Sequence, residues 1–159
     1  MHHHMQVPRV AEKACLFTFE ELCGEAVGAS DYISLVTSFH TLALKGVPVF
    51  NGSNRSLAYR FVALIDVMYD HRTKLLMSAE DYPEGLFKNV LTYSDSKEKV
   101  KDEMTVVDDN LGFAKDRTVS RLIEMQSMEY AIAHAERHAP EILLALQEAQ
   151  GAPKERRHY

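Results

Sequence analysis

The sequence has little of what marks a secreted, metal-built or membrane-spanning protein. It carries two cysteines, Cys15 and Cys23, in 159 residues. Their spacing fits no metal motif, and free thiols point to a reducing, intracellular compartment. No apolar run approaches the length of a membrane span. No signal or transit peptide is visible. The formal net charge is −5, and no basic block is larger than residues 154–157. That balance speaks against a dedicated nucleic-acid-binding surface. No GxxxxGK[ST] loop occurs; residues 24–28 (GEAVG) are too short and lack the lysine, so the chain cannot hold a nucleotide triphosphate in that way. The first long apolar strand run ends in Lys45 and Gly46, without the acid that positions Mg²⁺ in such ATPases. A nucleophile elbow and an HExxH pair are absent too, which leaves an independent hydrolase without a nucleophile. There is no internal repeat. The opening Met1, His2, His3, His4 and Met5 look like the remnant of a purification tag, and these histidines enter no metal argument.

What is present is organised around residues 53–80. Ser53 or Asn54 is placed to cap a helix. Leu57, Phe61, Leu64, Ile65 and Met68 then follow at helical spacing, and Ala58, Val62 and Tyr69 widen the apolar surface. So broad a face predicts a helix covered on more than one side. Residues 74–79 (KLLMSA) read as a strand covered on both faces, as in a parallel sheet. Upstream, residues 40–45 (HTLALK) are a second such run, broken by Gly46, Pro48 and Asn51-Gly52. The pattern is βαβ. The fold class is α/β: a small parallel sheet flanked by helices, with a C-terminal helical segment.

The remaining stretches fit around that unit. Residues 1–13 read as a loose lead-in. Residues 15–19 are β-prone, and one helical turn stops at Gly24. Ser30 predicts the N-cap of a helix carrying Tyr32, Leu35, Val36 and Phe39. A short turn or helical stub falls at residues 83–87. Residues 88–112 are acidic, lack a steady period and read as a long mobile insertion. A helix opening near Asp116 and running to about His138 has Val119, Leu122, Ile123, Tyr130 and Ala133 on one face. A last helix starts at Pro140 and stops at Gly151. Residues 151–159 read as a tail.

Three sets of residues could carry chemistry. His134 and His138 are i, i+4 and could chelate a metal, but no third ligand is evident, so they read as an exposed pair. Arg117 and Arg121 are also i, i+4 and repel each other. Either they are braced by Asp116, Glu124 or an acid from another helix, or Arg117 reaches a nucleotide phosphate. Arg60, on the apolar helix, either snorkels or pairs with Asp31, Asp66 or Glu124, or it reaches a phosphate or a partner subunit. Ser78 and Glu80 lie at the C-terminal end of a strand, where open α/β sheets place their sites.

The blocks Tyr59-Arg60-Phe61-Val62-Ala63-Leu64-Ile65-Asp66-Val67-Met68-Tyr69-Asp70 and Arg117-Thr118-Val119-Ser120-Arg121-Leu122-Ile123-Glu124-Met125-Gln126-Ser127-Met128-Glu129-Tyr130 are long and specific. With Phe17-Thr18-Phe19-Glu20-Glu21-Leu22-Cys23, Ala29-Ser30-Asp31-Tyr32, Gly46-Val47-Pro48-Val49 and Ser78-Ala79-Glu80, they resemble the C-terminal part of one AAA+ ATPase family. That family comprises bacterial ZapE and the mitochondrial "ATPase family gene one" or lactation elevated proteins. The similarity covers about residues 14–130. The acidic insertion and residues 108–116 look like a eukaryotic branch.

The resemblance implies that residues 14–150 form the C-terminal α/β domain of a longer ATPase whose P-loop module lies N-terminal to it. ATP and Mg²⁺ would belong to that intact parent, with none expected in this piece. The parent would be mitochondrial and homo-oligomeric, associate with the inner membrane and act in protein quality control on client proteins. Arg117, Arg121 and Arg60 are the candidate catalytic residues, and Arg117 the candidate phosphate contact. Two departures matter. The family commonly has two arginines before the phenylalanine, whereas here Tyr59 precedes Arg60, and Lys45-Gly46 stands where an acid is often found. The alternative reading is a protein-binding module that recognises clients or partner subunits, with the insertion as contact.

Overall fold

The computed structural model describes residues 6–25, 27–99 and 102–151. The first five residues of the expected tag remnant and residues 152–159 of the expected tail lie outside them. The described chain is a mixed α/β fold with a parallel sheet flanked by helices and a helical C-terminal segment, as the sequence predicts.

The main sheet has four strands in the order β1 (Arg9–Ala11), β2 (Ala14–Thr18), β3 (Thr41–Val47) and β4 (Lys74–Ala79). β1 is antiparallel to β2, and the other two pairings are parallel. The lead-in is therefore not wholly loose, since β1 pairs through it. At the end of β2, Thr18 and Glu21 form a reciprocal capping box that starts α1 (Phe19–Cys23). The next helix, α2 (Ala29–Ser38), begins one residue before the expected cap Ser30. Its N-cap is Gly28, whose amide donates to Asp31 at 2.9 Å. β3 then ends in a bulge at Gly46, whose φ of +81° suits glycine.

The central helix α3 (Arg55–Asp70) runs between α2 and α6 (Asp109–Glu124) and packs on the sheet, as its broad apolar face predicts. Ala58, Phe61, Val62, Leu64, Ile65 and Met68 are buried on it. Asn54 is its N-cap residue, but its side chain makes no capping bond. It accepts the Asn51 amide and donates to the Val49 carbonyl instead, fixing the turn into the helix. At the centre of the core, the Phe61 ring lies 5.3 Å from Phe50 and 6.2 Å from Phe19, and Phe50 lies 5.0 Å from Phe87. Each such ring contributes about 1.5–3 kcal/mol on burial.

Three sequence expectations are corrected. β4 is not covered on both faces: none of its six residues is buried, because it is the edge strand and helices cover only one sheet face. That face carries Cys15, Phe17, Leu42 and Leu44, with Leu75 and Met77 packed beside them. The 88–112 insertion is not a bare loop. It holds a two-stranded parallel pair, β5 (Val90–Leu91) with β6 (Val106–Val107), and the short helix α5 (Tyr93–Ser96). Val90, Leu91, Val106 and Leu111 are buried there and pay for the order. Finally, α6 opens at Asp109, not near Asp116, and ends at Glu124. Asp108 caps its start by accepting the Leu111 amide, and Ser127 starts a separate helix, α7 (Met128–His138). α4 (Pro83–Leu86) is the expected stub, and the last described elements are a 3-10 turn, Pro140–Ile142, and α8 (Leu143–Gly151), which buries no residue.

Candidate functional site

The fold brings Arg117 and Arg121 of α6 against α3. Asp66, on the facing side of α3, accepts from both. Arg117 Nη2 donates to Asp66 Oδ2 at 3.1 Å and its Nε to Oδ1 at 3.4 Å, and Arg121 Nη1 donates to Oδ1. The bracing acid thus comes from another helix, not from Asp116 or Glu124. Arg121 is the more covered of the two, and its guanidinium lies 4.7 Å from the centre of the Tyr69 ring. Tyr69 donates its hydroxyl to Glu124 at 2.8 Å, and Arg72 stacks on the other neighbour of that ring, Tyr130, as well as on Tyr69 itself. The result is a cationic patch of Arg72, Arg117 and Arg121 against Asp66 and Glu124. The Arg117 side chain is 49 % exposed and keeps guanidinium donors free of Asp66.

Such a set is suited to an anion. Arg117 can present a fork of N–H groups to a phosphate while Asp66 and Tyr69 fix the neighbouring Arg121. It does not suit the whole of a magnesium–triphosphate group. Asp66 is committed to the arginines, and the sequence has no phosphate-cradling loop.

Arg60 does not join this patch. Its Nη1 donates to the Cys23 carbonyl at 3.1 Å, at the C-terminal end of α1, where a cation meets unpaired carbonyls. None of the acids considered for it is its partner. Tyr59, at the family's other arginine position, donates to Asp108 Oδ1 at 2.6 Å, and Arg55 stands 3.8 Å from the same carboxylate. Burial pushes the Asp108 carboxyl upward, but the Leu111 amide, the Tyr59 hydroxyl and Arg55 outweigh it and hold it below its ordinary value. The tyrosine therefore ties α3 to the cap of α6. Ser78 and Glu80 are likewise spent on structure: Ser78 Oγ accepts the Gly46 amide and Glu80 Oε2 the Val49 amide.

His134 and His138 are not an exposed pair. His134 is buried, and His40, just ahead of β3, completes a trio with ring centroids 5.2–5.8 Å apart. His134 Nδ1 donates to the Arg72 carbonyl at 2.7 Å and His138 Nε2 to the His71 carbonyl at 2.9 Å. Among the described residues no group of three His, Cys, Asp or Glu side chains is arranged to hold a metal ion. The trio clasps α7 to the N-terminal end of the parallel strands. The residues missed at the sequence level are Asp66 as the shared acceptor, Tyr69 and Arg72. The sequence shows the helical spacing of Asp66 and Tyr69 on α3 but not which face meets α6, and Arg72 lies in the turn just past that helix.

Comparison with known proteins decides the family. The profile of the AFG1-like ATPase family matches residues 1–134. The chain belongs to this family. It is 33% identical over 129 residues to the cell division protein ZapE of Escherichia coli, covering 81% of this chain and 29% of ZapE. To lactation elevated protein 1 homolog B of Danio rerio it is 32% identical over 129 residues, covering 73% of this chain and 26% of that protein. An uncharacterized protein of Schizosaccharomyces pombe is 38% identical over 74 residues, 46% of this chain and 16% of its own length. The chain thus spans less than a third of the length of these relatives. No solved structure matches.

Proposed function

We propose that this AFG1-like chain is the nucleotide-responsive C-terminal part of a mitochondrial AAA+ ATPase that couples ATP hydrolysis to protein quality control. The P-loop module of the same polypeptide would bind Mg²⁺–ATP, and this part alone is inactive. The observation that carries the reading is the arginine pair on Asp66, with Arg117 half-exposed and directed by a partner it can share. In this reading Arg117 meets a phosphate of the nucleotide held by the P-loop module, and Arg121 and Asp66 position it. Arginine contacts of this kind contribute about 10³–10⁵ in turnover. Homo-oligomeric assembly, client proteins and inner-membrane association belong to the same proposal, and nucleic acid is not among the expected partners.

The test is ATP turnover in the full-length protein. Arg117→Ala is expected to lower kcat by about a thousandfold with folding intact. Turnover within a fewfold of the unsubstituted protein sinks the assignment. In that case the competing reading, a client-binding module, predicts that deleting residues 94–106 weakens client binding while ATP turnover persists. Calorimetric titration of the 159-residue chain with Mg²⁺–ATP should show no heat. Saturable binding lost in Arg117→Ala would mean that these residues carry a nucleotide site of their own.

A further inference from the structure

The free edge of β4 and the trough beside it form a surface that the described residues leave open. Sheet order ends at β4. The Lys74 amide donates to the His40 carbonyl and the Glu80 amide to the Val47 carbonyl, so the first residue of the strand and the residue after its last are turned toward β3. Alternation along a parallel strand then points the N–H and C=O groups of Leu75, Met77 and Ala79 away from the sheet. Those same three residues line a trough of about 610 Å³, together with Leu122 of α6, Met125 just past the end of that helix, and Tyr82. Leu76 is 54% exposed and Tyr82 82% exposed at this edge. β4 itself has few of the usual protections: its sequence, KLLMSA, contains no proline, its own backbone has no bulge, its one charge, Lys74, sits at the first residue, and the acids Glu80 and Asp81 lie past its last.

We propose that the β4 edge receives an extended strand from the polypeptide of the full-length ATPase that lies outside residues 1–159. The strand lengthens the sheet to five, bonds the outward groups of Leu75, Met77 and Ala79, and drops alternate apolar side chains into the trough between β4 and α6. This rests on the reading that the chain works within a longer ATPase. The occupant follows from length and from the unprotected edge. The relatives have more than two thirds of their residues outside the matched region. A strand tethered in the same polypeptide meets the edge at an effective concentration on the order of millimolar. An edge covered in that way does not need the devices that keep a solvent-exposed edge from pairing.

Hydrogen exchange read by mass spectrometry tests this on two proteins, the 159-residue chain and the full-length ATPase. The amides of Leu75, Met77 and Ala79 should exchange at least a hundredfold more slowly in the full-length protein. Leu76→Cys should cross-link there to a segment outside residues 1–159. Ala79→Pro removes one outward N–H and none directed at β3. It should restore fast exchange at Leu75 and Met77 in the full-length protein while leaving the melting of the 159-residue chain unchanged. Equally fast exchange in both proteins overturns the proposal. Protection that fades on dilution, or cross-links only between two β4 strands, overturns the named occupant in favour of a second copy. ATP turnover of the same full-length protein is read separately. Normal turnover with an open edge removes the docking strand and keeps the proposed function; a protected edge without turnover does the reverse.

Discussion

Asp66 holds two arginines that would otherwise face each other one helical turn apart on α6. Its replacement, Asp66→Asn, keeps the shape and removes the charge. Because all three side chains keep contact with solvent, the expected loss is modest, about 1 kcal/mol in urea unfolding. A loss above about 3 kcal/mol would mark the trio as a buried network. Tyr130 is the sharper case. Its buried hydroxyl donates to the Thr73 carbonyl at 2.6 Å and lies 3.3 Å from the Met68 carbonyl, joining α7 to the end of α3 and the start of β4. Tyr130→Phe strands the Thr73 carbonyl and should cost about 1–3 kcal/mol in the same measurement. The sequence told that Arg117 and Arg121 needed an acid, since i, i+4 repulsion is a local property. It could not tell which acid, because Asp66 lies 51 residues earlier and only tertiary packing brings it there. Arg60 misled for a related reason: its partner is a backbone carbonyl, and a carbonyl leaves no trace in the residue sequence.

Among the elements, those with a clean period were legible. α3, β3 and β4 form where the apolar spacing put them. The first turns of α6 carry Asp109, Asn110 and Gly112, which mask the helical pattern, so the sequence places the start of that helix seven residues late. Gly112 is there for contact. A Cβ on it would stand 2.7 Å from Thr92 Cγ2 and 3.1 Å from the Thr92 amide nitrogen, at the cap of α5. Alanine is the better helix former by about 1 kcal/mol, yet the closest clash is with the Thr92 methyl, whose side chain is held by its cap bond from the Asp95 amide, and the Thr92 backbone stands just behind it. Gly112→Ala is therefore expected to lower the melting temperature, by about 1–3 kcal/mol of stability; a raised melting temperature would show that α6 and α5 can part freely. The clasp of α7 predicts a pH dependence. Burial lowers the His134 pKa, the Arg72 carbonyl opposes this, and His138, His40 and Lys74 add to it. His71 and Arg137 lie on the same junction through their bonds to α7 and α3. A histidine with a lowered folded pKa binds fewer protons folded than unfolded. Stability is thus retained above the unfolded value, near pH 6.5, and falls as pH drops through and below it. Melting curves between pH 8 and pH 5 should show that decline, and His134→Gln should flatten it.

At the scale of the whole molecule, the α/β class and its parallel core followed from the two apolar strand runs and the helix between them. The open sheet face did not. An apolar run such as KLLMSA reads the same whether one face or both are covered, and only the position of β4 at the sheet edge distinguishes the two. The covered face has its own reporters. Cys15 on β2 and Cys23 at the end of α1 are both buried, and burial pushes their thiols up to about 11 and about 12. At pH 8 both therefore stay thiols, and neither sulfur is open to a reagent. The two lie beneath the same helical layer, one on a strand and one on a helix, so neither can be reached without opening the core they share. Iodoacetamide at pH 8 should therefore modify both together, at a rate that follows the unfolded fraction as urea is raised. Mass spectrometry separates the outcomes. Doubly modified and unmodified chains with little between them mean that the sheet and its helices open as one unit. Early, selective labelling of Cys15 would mean that β1 and β2 peel away from β3 first, and that the helices around α3 hold together without them.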